Sequence, residues 1–240
     1  MHCILRQEWY AIRHSWPIKW FFFALTAAIL GAAPSLASLA ASGTTSSNAF
    51  LRALTDSPYA ALMGSVLAGL YFGTDFRQKT IRLPIAAGAS RISVFASRAI
   101  VFFLLAIPAV LLYPICRGLT ATAVNGRGLL SFAQLFGMTA IGLWMYILIF
   151  AVFLFISFAV RDAGKTIGIS LLGYICYSML YTMVAPDLFL FAEVSPAVVF
   201  DRLAGGTLSA AATANAALSA AVGLLAITGL TYAKFRKSDV

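Results

Sequence analysis

Residues 132–160 read FAQLFGMTAIGLWMYILIFAVFLFISFAV, an apolar stretch without a charged side chain. A helix needs about 20 apolar residues to cross roughly 30 Å of hydrocarbon, and this stretch exceeds that length. The whole chain has the same character, because 61% of its 240 residues are hydrophobic and only 10% are charged, against about 25% charged residues in a typical soluble domain. The sequence therefore predicts an all-α protein with several transmembrane helices.

Six apolar runs divide the chain. We expect transmembrane helices at about 20–41, 58–72, 93–115, 132–160, 166–184 and 216–232, all within one membrane domain that covers 1–240. The spacing of apolar side chains in 1–15 predicts an amphipathic helix that lies at the membrane interface. Short helices are expected in 185–215 before the last span, polar loops in 42–57 and 117–131, and a tight turn at 161–165. The first run also resembles a signal peptide, but its long charged leader and its full span length favour an uncleaved helix.

The second predicted span carries a face of small residues. Gly69 and Gly73 form a GxxxG pair, a spacing that lets a neighbouring helix approach closely. We expect this pair to serve helix packing within one chain, and a dimer contact is the alternative.

The basic residues predict the orientation in the membrane. Of seventeen lysines and arginines, only Arg52, Arg117, Arg127 and Arg202 fall on one side of the six predicted spans, and the others fall on the side that holds both termini. Lysine and arginine accumulate in cytoplasmic loops, so both termini are expected in the cytoplasm. The net charge of +9 is explained by this orientation, and nucleic acid is not an expected partner.

Several kinds of chemistry have no support in the sequence. No acidic residue lies in a predicted span, which argues against proton-coupled transport, although a sodium site made of carbonyl oxygens stays open. There is no HExxH motif, His2 and His14 both precede the first span, and the three cysteines show no CxxC spacing. We therefore expect no metal site and no enzymatic activity.

One stretch approaches a nucleotide-binding motif. Residues 159–166 read AVRDAGKT, close to the phosphate-loop pattern GxxxxGK[ST], with Ala159 in place of the first glycine. The motif needs a strand before it and a helix after it, whereas here it joins two predicted spans. We therefore interpret it as a tight turn with Lys165 as an interfacial anchor, and we expect no cofactor in this chain.

The segment between the second and third spans is the most patterned part of the chain outside the membrane. Residues 73–98 read GTDFRQKTIRLPIAAGASRISVFASR, and the basic residues in this segment are Arg77, Lys79, Arg82, Arg91 and Arg98. Permeases of the type-2 ABC exporter family carry, after their second span, a pattern close to E-x-x-x-G-T-[IL]-[RK]-x-L, then P-x-S-R, then a basic residue at the start of the third span. This chain resembles that pattern at Asp75, Thr80-Ile81-Arg82, Gly88-Ala89-Ser90-Arg91 and Arg98, and departs from it with Asp75 for glutamate, Lys79 for glycine and Gly88 for proline.

The resemblance implies a permease subunit of an ABC exporter. It implies that residues 73–92 form a cytoplasmic coupling segment and that a separate ATPase chain binds ATP and Mg²⁺. The candidate ATPase contacts are Asp75, Arg77, Lys79, Thr80, Arg82, Ser90 and Arg91, with Asp162 and Lys165 as a second contact. A second permease subunit, identical or related, is expected, and the size of the chain is similar to that of the branch for antimicrobial-peptide export and lantibiotic immunity.

The apolar, aromatic-rich spans favour an amphipathic cargo, which could be a peptide, a lipid-like molecule or a drug. The bacterial plasma membrane is the expected location, with membrane lipids around the spans. Two other functions stay open at this point. One is an ion-coupled carrier or channel that uses backbone carbonyls, and the other is a membrane adaptor that docks a cytoplasmic protein without transport.

Overall fold

The computed structural model describes residues 6, 9–10, 12–31, 45–78, 80–126, 128, 130–183, 195–205 and 209–237. The described residues form helices and contain no strand. The helices are α1 (Trp16–Gly31), α2 (Ser46–Leu54), α3 (Ser57–Ala68), α4 (Thr74–Gln78), α5 (Arg82–Ala86), α6 (Arg91–Asn125), α7 (Phe132–Val160), α8 (Ala163–Met183), α9 (Pro196–Ala204) and α10 (Ala210–Lys237). The predicted interfacial helix at 1–15 lies mostly outside the described residues, although Ile12 to His14 are helical.

Three helices in the described part of the chain are long and apolar enough to cross a membrane. They are Arg91–Asn125, Phe132–Val160 and Ala211–Arg236. Long apolar helices satisfy their own backbone hydrogen bonds, which is what the interior of a bilayer demands. The helical character predicted from the sequence is therefore confirmed for the described residues, and three of the six predicted spans coincide with helices that could cross a membrane by their length and composition.

Two predicted loops are wrong. Within 42–57, residues 46–54 form α2, which buries Ala49, Leu51 and Leu54 and packs mainly against α6. Within 117–131, the helix α6 continues to Asn125, even though Pro108 and Pro114 lie inside it. In both places polar residues sit on a helix that buries its apolar face, so overall polarity suggested a loop where the structure has a helix.

Helix α7 is the centre of the bundle, because α10, α8, α3 and α9 all pack against it. Its start is fixed by a capping box, in which Ser131 and Gln134 exchange side-chain and backbone hydrogen bonds. Its middle is tied to its neighbours, since the Trp144 indole N–H donates to the Ala217 carbonyl at 3.0 Å and the buried Tyr146 hydroxyl donates to the Leu54 carbonyl. The bundle therefore uses a few polar anchors within a mainly apolar core.

The C-terminal end of α3 is unusual. After Ala68 the helix widens into a π-helical turn, Gly69–Gly73, which leads directly into α4. Both glycines face α8, because a Cβ on Gly69 would lie 2.8 Å from the Ala163 carbonyl oxygen and one on Gly73 would lie 2.6 Å from the Ala163 nitrogen. Real Cβ atoms do not approach backbone this closely, so the contact between these elements requires glycine at both positions.

Candidate functional site

The carboxylate of Asp75 joins three parts of the 73–98 segment. One carboxylate oxygen accepts a hydrogen bond from the Arg98 guanidinium on α6, and the other accepts the Thr80 hydroxyl at 2.8 Å. The Thr80 amide also donates to the Asp75 carbonyl, at 3.2 Å. Asp75 therefore closes the turn between α4 and α5 and fastens this turn to the first part of α6.

This ion pair is largely removed from solvent. The Arg98 side chain is 5% exposed and the Asp75 side chain is 21% exposed. Burial raises the pKa of the Asp75 carboxyl above its ordinary value, and the Arg98 guanidinium and the Thr80 hydroxyl act against that rise. Burial disfavours the charged form of a carboxyl, so Asp75 depends on Arg98 to stay ionised where it lies.

An aromatic cluster lies beside this network and connects it to the bundle. The Phe158 ring on α7 has four aromatic neighbours, with centroids 5.1 to 5.5 Å away, namely Phe72, Phe76, Phe95 and Phe235. Phe76 and Phe95 lie between Asp75 and Arg98 in the sequence, Phe72 precedes Asp75, and Phe235 lies on α10. Aromatic pairs at such distances pack rigidly and add stability beyond their buried area.

Two basic residues extend these connections. The Arg161 guanidinium lies 5.9 Å from the centroid of the Phe76 ring, within the range of a cation–π interaction. The Arg91 side chain donates to the carbonyl of Arg236, near the end of α10, at 2.8 Å. Displacing the 73–98 segment would therefore disturb α7 and α10 as well as α6.

The second predicted contact, Asp162 and Lys165, lies at the start of α8. A side-chain oxygen of Asp162 accepts the Lys165 amide at 2.9 Å, and its carbonyl accepts the Thr166 amide at 2.9 Å. Asp162 thus caps α8, and both side chains are exposed. Because Gly73 packs against Ala163, the two predicted contacts lie next to each other. The stretch resembling a phosphate loop joins two helices, with no strand before it.

The other predicted residues divide into three groups. Ser90 caps α6 by accepting the Ser93 amide at 3.3 Å, and it is exposed. The Arg77 side chain is exposed on α4. Lys79 and the side chain of Arg82 lie outside the described residues. Sequence reasoning missed Phe158 and Arg161, because a phenylalanine in an apolar span and an arginine at its end are both common.

The network around Asp75 contains one carboxylate, one guanidinium and one hydroxyl, and the carboxylate accepts a hydrogen bond from each of the other two groups. Among the described residues, no group of three or more His, Cys, Asp or Glu side chains could hold a metal ion. Neither a scan against protein-family models nor a search of curated proteins finds a match to this chain.

Proposed function

We propose that this chain is the permease subunit of an ABC exporter, driven by a separate ATPase chain. In this proposal it spans the bacterial plasma membrane six times with both termini in the cytoplasm, and it pairs with a second permease subunit. Its cargo is amphipathic, such as an antimicrobial peptide, a lipid-like molecule or a drug, and it moves outward. ATP and Mg²⁺ bind to the partner ATPase.

The cluster of Asp75, Thr80 and Arg98 is the observation that carries this proposal. These residues stand at three separate positions of the exporter pattern, up to 23 residues apart, and Asp75 bonds to both of the others. A slack, solvated loop would not need a largely buried ion pair to hold its fold. A segment that must transmit force needs a fixed shape and firm connections to the spans, which the contacts of Asp75, Phe76 and Arg91 supply.

The surface of the same segment suits a protein partner. Leu83 on α5 is 65% exposed and Ile92 on α6 is 57% exposed, and the exposed Arg77 side chain lies on α4. Apolar residues among basic ones, on the side predicted to be cytoplasmic, can form the buried centre and charged rim of an interface. The exposed Asp162 and Lys165 extend this surface from the start of α8.

Purification of the full chain from native membranes tests the proposal. We expect a nucleotide-binding ATPase to copurify. Arg77→Glu should reduce its recovery by at least about tenfold, because a reversed charge at an interface opposes the partner's complementary charges. Arg52→Glu is the matched control, since Arg52 is exposed on α2 and predicted to face the outside; it should leave the recovery unchanged.

Two results would contradict the proposal. Recovery of the intact chain with no nucleotide-binding protein would argue against an exporter. An ATPase that binds but does not respond, in its hydrolysis rate, to any member of a panel of peptides, lipids and drugs would favour a docking adaptor instead.

A further inference from the structure

An open apolar groove of about 490 Å³ lies between α8 and α10. Both helices pack on α7, which forms the floor through Leu148, Val152 and Ile156, and α10 contributes Gly223 and Ile227. The volume falls within the range of about 300 to 1,000 Å³ that is usual for small-molecule sites. None of the described residues that line the groove carries a charge.

Helix α8 adds a row of hydroxyl groups to this apolar surface. Ser170, Tyr174 and Tyr177 line the groove, and their spacing places them on one face of the helix. The Tyr177 hydroxyl is engaged, because it hydrogen-bonds to the Ser195 hydroxyl and accepts the Ala197 amide at 3.4 Å. Ser170 is different: it is 1% exposed, and its hydroxyl has no hydrogen-bond partner in the described part of the chain.

A buried hydroxyl without a partner costs free energy. The hydroxyls of Ser47, Ser93, Ser157 and Thr166 also lack a partner among the described residues, and Ser170 is the one of these five that lines this groove. Serine in a helix commonly bonds to a carbonyl one turn earlier, as Thr139 does with Leu135 at 2.7 Å. The Ser170 hydroxyl makes no such bond. It is thus available to a molecule that occupies the groove it lines.

The surroundings of the groove indicate how such a molecule would reach it. The flanking helices present exposed apolar side chains, among them Leu172 and Met179 on α8 and Val222 and Leu225 on α10. Surfaces of this kind face the acyl chains of the bilayer. In the six-span topology proposed above, α8 begins at the level of the lipid headgroups, and Ser170 lies about 10 Å along its axis from that point, at 1.5 Å per residue, among the acyl chains.

We propose that this groove binds an uncharged, long-chain amphiphile that enters sideways from the bilayer. The apolar walls hold its hydrocarbon body, and the Ser170 hydroxyl bonds to its hydroxyl or carbonyl group. A charged group has no counterion along the groove, so charged lipids are excluded from this depth. The inference concerns binding by this chain alone and does not require an ATPase.

Photolabelling of the full chain in detergent micelles tests this site. The probes are a long-chain alkanol with a diazirine in its chain and the matching alkane without the hydroxyl. We expect the alkanol to label peptides of α7, α8 and α10 at the groove, and unlabelled hexadecanol to compete more strongly than hexadecane. Ser170→Ala should lower labelling by the alkanol about fivefold, as expected for loss of one hydrogen bond, and leave labelling by the alkane unchanged.

Two glycines of α8 give a matched pair of variants. A Cβ at Gly173 or at Gly168 meets no atom within 4 Å, so a side chain can start at either position without a clash at its Cβ, but only Gly173 lines the groove. Gly173→Leu should abolish labelling of the groove by both probes, and Gly168→Leu should leave it at the wild-type level. If a variant fails to fold, competition between the probes and unlabelled hexadecanol or hexadecane in the wild-type chain still tests the site.

Equal labelling of Gly173→Leu and of wild type would show that the probe does not bind in the groove. Labelling that falls only on peptides outside the groove would show the same. Equal competition by alkane and alkanol would overturn the role of Ser170. Cross-linking between two chains through the exposed Cys176, without probe labelling, would overturn the amphiphile as the ligand and favour a second copy of the chain against α8. Because these measurements use no nucleotide, their failure is separate from a failure to copurify an ATPase.

Discussion

Replacing Arg98 by methionine removes the cation from its ion pair with Asp75 while keeping a long, flexible side chain. Removal of one partner from a buried ion pair costs about 3–5 kcal/mol, because the other charge stays behind without compensation. Asp75 keeps a fifth of its side chain in solvent and also keeps the Thr80 hydroxyl. We therefore expect the low end of that range, about 3 kcal/mol, for Arg98→Met at neutral pH.

The pH dependence of this loss follows from the raised pKa of Asp75. A carboxyl whose folded-state pKa lies above its ordinary value, about 4, stabilises the folded state at low pH, and that contribution is lost as pH rises through the folded-state pKa. Arg98 opposes the rise, so Arg98→Met should raise the pKa of Asp75 further. The penalty should be full at neutral pH and should shrink as the pH falls toward about 4.

Unfolding of the full chain in detergent, followed by tryptophan fluorescence between pH 4 and pH 7, measures both effects. Asp75→Asn combined with Arg98→Met should recover most of the loss at neutral pH, because no buried charge then remains in the pair. A buried ion pair of this kind is refuted if the free energy of unfolding of Arg98→Met lies within about 0.5 kcal/mol of wild type, the usual range for a surface substitution. It is also refuted if the loss of stability in Arg98→Met does not change with pH.

Two further predictions concern packing and a hydrogen bond. Gly73→Ala should destabilise the chain by about 1–3 kcal/mol, because its Cβ meets the backbone of Ala163. The control Gly168→Ala should be neutral or up to about 1 kcal/mol stabilising, and equal thermal shifts for the two variants would contradict this prediction. Tyr146→Phe should cost about 1–3 kcal/mol by leaving the Leu54 carbonyl without its donor. Chemical denaturation in detergent measures that cost, and a variant as stable as wild type would show that the bond contributes little.

The helical membrane fold could be predicted because long apolar runs have few alternatives. The bounds of α7, for instance, coincide with the predicted 132–160 run. Helix α2 could not be predicted in the same way, since it is short and its exposed face carries Asn48 and Arg52, which gave the segment a polar appearance. Whether such a short segment forms a helix depends on the helix it packs against, here α6. Sequence periodicity does not reveal that partner.

Only part of the candidate site could be predicted from the sequence. The exporter pattern singled out Asp75, Thr80 and Arg98 as separate positions, but their contact depends on how α4 and α6 meet. The central place of Phe158 could not be predicted, because nothing in a run of apolar residues marks a phenylalanine whose ring contacts four others. Gly69 and Gly73 indicated close packing, while the identity of the facing helix, α8, required the structure.

The π-helical turn at Gly69–Gly73 sets the angular position of everything that follows it. Such a turn holds one residue more than the α-helical path between the same two points. Deleting Leu70 would therefore let the helix return to the α-helical path and would leave the Asp75 carboxylate beside Arg98. The turn is thus a place where the chain can lose one residue while the ion pair between Asp75 and Arg98 remains formed.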